Sequence, residues 1–182
     1  HYRARGLEQV IQEEGFDVVL THEPGGTNVG QSIRELIMNP EANHDPKFAL
    51  CLFLADRRFH LQTIVKPALD EGKLVICDRF EGSTFAYQAL AGDLDFEKVK
   101  EFNDFITDSL SPEVTILFDL LPEVGLERKK NPGVEVTHYD NQTIEYHQKL
   151  RDGFLKLAKI LSNWVVIDAS QSREAIHQQV LE

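Results

Sequence analysis

The sequence predicts an α/β protein of three layers, a parallel sheet flanked by helices on both faces. Three observations lead there. Four short apolar runs, "DVVLT", "KLVICD", "VTILFDL" and "WVVIDAS", are spread along the 182 residues. None alternates polar with apolar residues, so each reads as a strand covered on both sides. The stretches between them are long enough for helices and have helical spacing, as crossovers between parallel strands require.

Taken in order, a polar helix over Leu7–Gly15 stops at glycine and leads into "DVVLT". A helix follows near Val29–Met38, and another spans Lys47–Asp70 with Pro67 near its end. After "KLVICD" come helices at about Ser83–Ala91 and Phe96–Leu110. "VTILFDL" precedes a basic stretch and loop, and an amphipathic helix covers Thr143–Leu161. "WVVIDAS" and a C-terminal helix complete the pattern. No repeat, low-complexity tract or linker divides the chain, so residues 1–182 are expected to form one domain.

Composition narrows the function. The net charge is −11 with no block of basic residues, which argues against polymeric nucleic acid as a partner. Small anions remain open to it, because a phosphate responds to a few nearby arginines more than to a screened net charge. No apolar run is long enough to span a membrane, and none resembles a secretion signal. Cys51 and Cys77 sit in apolar segments without metal-ligand spacing and are expected to be buried thiols in a reducing, cytoplasmic setting.

Ligands of open parallel sheets bind beyond the carboxyl ends of the strands, which directs attention to the residues just past each run. After "KLVIC" stand Asp78 and Arg79. An aspartate there can hold the hydration shell of Mg²⁺, and an arginine can grip a phosphate with two parallel donors; a surface salt bridge is the competing account. In "LCLFLADRRFH", Phe53 and Arg57 are four apart and share a helix face, fit for a flat polar ring or for a core phenylalanine beside a solvated arginine. "GSTFAYQ" puts Thr84, Tyr87 and Gln88 within one turn, either as a site or as a polar face behind an N-cap at Ser83. Residues 128–142 begin with Arg128, Lys129 and Lys130 and continue through Pro132 and Gly133. They read as a lid over phosphates or as a surface loop. The turn "THEPGGT" is longer than a strand-to-helix connection needs and precedes a helix with a lone arginine, Arg34.

"EPGGT", the helix with Arg34, "LFLADR", "DRF" followed by "STFAYQ", and "PEVGLER" occur in the order and spacing of the thymidylate kinases, which the chain resembles from about Gly15 to Ser170. The resemblance implies a P-loop nucleoside monophosphate kinase fold and transfer of phosphate from ATP, with Mg²⁺, to dTMP by a homodimeric enzyme. It implies that the Glu23-Pro24 turn lies over the monophosphate with a cis peptide before the proline, and that Arg34 reaches the phosphate. Phe53 would stack on thymine and Arg57 would bond its edge. Thr84 would help read the pyrimidine, Tyr87 would crowd the sugar 2′ position, and Gln88 would be a further substrate-binding residue. Arg79 would bind phosphate, and Asp78 would support it and the metal indirectly. Arg128 would lie against adenine, with Lys129 and Lys130 at the base of the lid.

The sequence departs from the family in three places. No G-x-x-x-x-G-K-[ST] occurs in the 182 residues; the family has it after a first strand in mid-sheet, so a longer polypeptide is expected, with strand and loop ahead of His1. His22 stands where an arginine is usual, and the lid segment Asn131–Gln142 holds no arginine, only His138 beyond the two lysines. Two other readings stay open: a kinase for another pyrimidine monophosphate, or a degenerate nucleotide-binding module without catalysis.

Overall fold

Alternating strands and helices appear throughout the computed structural model, which describes residues 2–39, 45–130, 137 and 139–181. The expected lid therefore falls partly outside the described residues, at 131–136 and at His138. Helix α1 (Tyr2–Glu13) leads to strand β1 (Val18–His22), which the cis Glu23–Pro24 turn joins to α2 (Asn28–Met38). Thr27 caps α2 by accepting from the Gly30 amide at 2.8 Å. Helix α3 (Pro46–His60) starts with proline at its first turn behind an Asp45 cap. It runs through a π-helical stretch, Leu61–Val65, into α4 (Lys66–Asp70). The wider turn comes just before Pro67, which has no N–H for an ordinary helical bond.

Strand β2 (Leu74–Asp78) follows, then α5 (Glu81–Thr84), extended by a π-helical stretch over Phe85–Ala91. Next come α6 (Phe96–Thr107), β3 (Thr115–Asp119), α7 (Pro122–Lys129), α8 (Ile144–Ile160), β4 (Trp164–Asp168) and α9 (Arg173–Leu181). All four predicted strands and their parallel sense are present. They form two parallel pairs, β1 with β2 and β3 with β4, and among the described residues no ladder joins the pairs. The registers place His22 beside Asp78 and Asp119 beside Asp168, so the carboxyl ends of each pair are level. No helix among the described residues is long and apolar enough to cross a membrane.

Three expectations need correction. The first helix begins at Tyr2, five residues before Leu7. The basic stretch before the loop, expected without a helix, forms the end of a helix over Pro122–Lys129, whose Pro122 is pre-set for a first helical turn. Cys51 is exposed on α3, one position past the buried Leu50 and so rotated about 100° from it around the helix.

The main core lies where α3, the helix through Phe85–Ala91, α6 and α8 meet, around Leu54, Phe85, Val99, Leu150 and Leu157. A smaller cluster of Ile167, Ala169 and Ile176 lies between β4 and α9. Leu157 is fully enclosed, so its truncation leaves a cavity. Leu157→Ala is expected to cost about 2–5 kcal/mol. In urea melts this is a lower midpoint with an unchanged slope.

Candidate functional site

Two motif pieces far apart in sequence meet through Arg57. It is buried at 2 % exposure, and its Nε donates to Glu23 Oε2 at 2.8 Å. Its Nη1 donates to Thr84 Oγ1 at 3.1 Å and to Asn103 Oδ1 at 2.8 Å. Its guanidinium carbon lies 4.9 Å from the centre of the Phe80 ring. The other Glu23 oxygen meets His60 Nδ1 at 2.8 Å, and His60 Nε2 meets Thr21 Oγ1 at 2.6 Å. One buried polar chain thus ties the end of β1 to α3, α5 and α6. Burial on this scale is tolerable only because each charge has partners.

The Glu-Pro-Gly-Gly-Thr turn closes on this chain. Gly25 has φ 95°, a backbone that favours glycine, and a Cβ there would meet Arg34 Cδ and Gln31 Oε1 at 3.0 Å. At Gly26 a Cβ would come 2.5 Å from the His22 carbonyl oxygen. The Gly25 amide donates to Asp56 Oδ1 at 3.1 Å. Asp56 is buried, and its Oδ2 has no hydrogen bond among the described residues. Burial, followed at some distance by the charge on Glu23, raises its carboxyl above the ordinary 3.8 despite the Gly25 bond.

Asp78 and Arg79 end β2. Asp78 is half-buried, and its carbonyl accepts from the Glu23 amide at 3.1 Å, which locks the two strand ends together. Arg79 takes the left-handed backbone, φ 69°, uncommon for a residue with a Cβ. Its side chain is exposed and reaches over the Tyr87 ring, 5.5 Å from the centroid. Tyr87 in turn meets Tyr139 edge-on at 5.4 Å, which brings the end of the lid to the phosphate-binding candidate. Phe53 is half-buried and Gln88 fully buried. Burial, then the charge on Arg34, holds His22 below the usual 6.5, so it is neutral at pH 7 where an arginine would be charged.

On the other strand pair, Arg151 grips Asp119 with two bonds of 2.7 and 2.8 Å at the end of β3. Beside them a cavity of about 280 Å³ is lined by Pro122, Lys129, Asp140 and His147. A hollow of about 260 Å³ at the amino ends of β1 and β2, near Asp17 and Lys73, lies at the end that parallel sheets do not use for ligands. Arg128 donates to the Ala169 carbonyl at 3.1 Å, just past β4. Lys129 pairs with Asp140 at 2.7 Å and Lys130 with Glu127 at 2.5 Å.

Glu23, His60 and Cys77 bring three potential metal-donor atoms within 4.8 Å of one another. Their chemistry does not favour an ion. Glu23 and His60 are committed to the polar chain, and burial pushes the Cys77 thiol well up, away from the thiolate a metal needs. The sequence reading missed Asp56, His60, Glu81 and Asn103. The last had a signal: Val99, Asn103 and Thr107 are spaced four apart on the buried face of α6, and a polar residue in such a stripe needs a partner.

A parallel α/β fold with arginines, an aspartate and a glycine turn just past its strand ends has the make-up of an enzyme that binds phosphorylated ligands. The thymidylate kinase family profile matches residues 3–180. The thymidylate kinase of Geobacillus sp. strain WCH70 is 42 % identical over 168 residues, 91 % of this chain and 80 % of that one. That of Lactobacillus acidophilus is 41 % identical over 178 residues, 96 % of this chain and 82 % of the relative. The crystal structure of the Ehrlichia chaffeensis thymidylate kinase superposes with a TM-score of 0.79 at 30 % identity, covering 99 % of this chain and 89 % of that one. The chain belongs to the thymidylate kinase family.

Asp56 gives a pH-dependent expectation. The folded protein holds the Asp56 proton more tightly than the unfolded chain does, so stability falls as pH rises from 3.8 through the raised value, and the penalty persists above it. Asp56→Asn keeps an acceptor for the Gly25 amide and removes the charge. Its Tm should exceed that of the parent at pH 7, with the gap narrowing toward pH 4. A lower Tm at pH 7 would mean that the carboxylate has a stabilising partner.

Proposed function

We propose that this chain performs its family's reaction, transfer of the γ-phosphoryl group of ATP to dTMP, with the residues gathered at the carboxyl ends of β1 and β2 as the acceptor site. The observation that supports this most is the Arg57–Thr84 bond of 3.1 Å, which brings "LFLADR" and "STFAYQ" to one point beneath the Glu23-Pro24 turn. Phe53, one turn before Arg57 on α3, offers a ring for the pyrimidine to stack on. Arg57, Thr84 and Gln88 supply its polar edge, and Tyr87 the wall beside the sugar. Arg34, folded against Gly25, and Arg79, above Tyr87, converge on the monophosphate.

An oxygen of the dTMP phosphate attacks the γ-phosphorus, and the bond to the bridging oxygen of ADP breaks. The acceptor's second pKa is about 6, so at neutral pH it is mostly the dianion and needs no general base. The protein's task is alignment and cancellation of charge. A divalent ion such as Mg²⁺, bound with ATP, would supply neutralisation of phosphate charge. Asp78, an oxygen donor at a strand end, suits such a hard ion through its water shell. Arg128, beside the chain that follows β4, takes the adenine side, and Lys129 and Lys130 serve the lid of the single domain. Exposed Phe48 on α3, with Phe102 and Phe105 on the neighbouring α6, supports a homodimer through these helices. A cytoplasmic location fits two free thiols.

A panel of monophosphates with ATP tests the reading. dTMP should be the preferred acceptor, and preference for AMP or GMP would defeat the assignment. Arg79→Ala should lower kcat/KM by roughly 10²-fold or more, because a charge-assisted contact is lost where charge is being cancelled. Arg79→Lys should recover only part of that, lacking the planar fork. Near-parent kinetics for the alanine variant would reduce Arg79 to a surface cation.

A further inference from the structure

We propose that Asn103 is a positioning residue for the pyrimidine edge, acting through Arg57; this rests on Arg57 being a base-site residue, as proposed above. Asn103 is completely enclosed on α6 and uses both ends of its amide. Oδ1 accepts from Arg57 Nη1 at 2.8 Å, and Nδ2 donates to Glu81 Oε2 at 2.9 Å. Chemistry fixes this orientation: a guanidinium only donates and a carboxylate only accepts, so the reversed amide would oppose like groups at both contacts.

The consequence for Arg57 is geometric. Glu23 holds Nε, and Thr84 and Asn103 together hold Nη1. Among the described residues Nη2 makes no hydrogen bond, and it is the donor left for a ligand acceptor such as a ring carbonyl. The plane of the guanidinium, and so the direction of Nη2, is set by three anchors on β1's turn, α5 and α6. Without Asn103, the Nη1 side keeps only the 3.1 Å bond to Thr84, and Glu81 loses its donor. The fork can then tilt, and an aligned bond to a flat ring weakens steeply with tilt. Asn103 touches no substrate itself in this arrangement.

A double-mutant cycle on dTMP binding, read by calorimetry, separates positioning from general support of the fold. Asn103→Leu, close in volume and without polar atoms, should weaken dTMP binding about tenfold in the parent. It should change binding by less than about twofold in an Arg57→Ala background, where there is no fork left to aim. An equal factor in both backgrounds, or no loss in the parent, overturns the role of Asn103. If Arg57→Ala binds dTMP as the parent does, the base-site reading of Arg57 fails first, and this proposal with it. Should the leucine variant not fold, Asn103→Ala serves in the same cycle. Should Arg57→Ala not fold, Arg57→Lys replaces it, keeping a charge toward Glu23 but not the fork.

Discussion

The ion pair between Arg57 and Glu23, almost wholly removed from water, is the constraint around which the acceptor side of the molecule is organised. Such a pair is not a strong source of stability. Desolvating both charges consumes most of what their attraction returns, whereas removing one partner alone costs about 3–5 kcal/mol. What the pair does provide is direction. Glu23 immediately follows β1, and Arg57 lies in the last turn of α3, so their contact fixes the strand end, the glycine turn and the helix in one arrangement. His60, one turn further along α3, fastens the other Glu23 oxygen and extends the constraint to Thr21. The glycines then follow from geometry. The turn and the first turn of α2 are packed so closely that a Cβ at Gly26 would strike the β1 backbone and one at Gly30 would clash with Asp56 Oδ1.

The strands bring these pieces to the same end. Each parallel pair has its carboxyl termini level, and polar groups stand there: the turn after β1, Asp78 and Arg79 in β2 and after it, Asp119 in β3, and Asp168 in β4. In β2 Leu74 is exposed and the other residues of β2 and β3 are half-buried rather than enclosed, unlike the helical core around Phe85 and Leu157. The most enclosed part of the described structure is therefore the helical cluster. The site draws its precision from α3, the helix beginning at Glu81, and α6, which contribute both to that core and to the hydrogen bonds of Arg57. Packing and site share the same helices, so a loosened core would be felt in the direction of the guanidinium.

Strands, helices and the main motif residues were legible because each leaves a local mark. An uninterrupted apolar run signals a covered strand, and a glycine pair after a proline signals a special turn. The four-residue spacing of Phe53 and Arg57 did place them on one helix. What spacing left open was whether Arg57 is solvated or buried, because its partners Glu23 and Asn103 lie 34 and 46 residues away. Asn103, His60 and Asp56 were invisible for the same reason: each matters through a contact made only in three dimensions. Cys51 shows the opposite limit: an apolar stretch of sequence does not tell which of its positions the helix turns outward. Helix α7 was hidden by its charges, which for a helix on the surface are no obstacle to forming.

The two lysines at the end of α7 are already paired. Lys129 is held by Asp140, which also accepts from the Thr137 amide and hydroxyl, both at 2.8 Å. Burial works against the Asp140 charge, yet the Lys129 and Thr137 bonds together hold its carboxyl below the ordinary range. A phosphate arriving near Lys129 must compete with that carboxylate for the same ammonium group. The ammonium is compact and its donors rotate, so it can exchange partners without moving the backbone, which a planar arginine fork does less readily. The Lys129–Asp140 pair is partly open to water, so the bond given up is screened and cheap to break. Tyr139, next to Asp140, already meets Tyr87, whose ring lies under Arg79. Ring contacts thus run from the residue beside the exchangeable Lys129–Asp140 pair, through two tyrosines, to Arg79 at the end of β2.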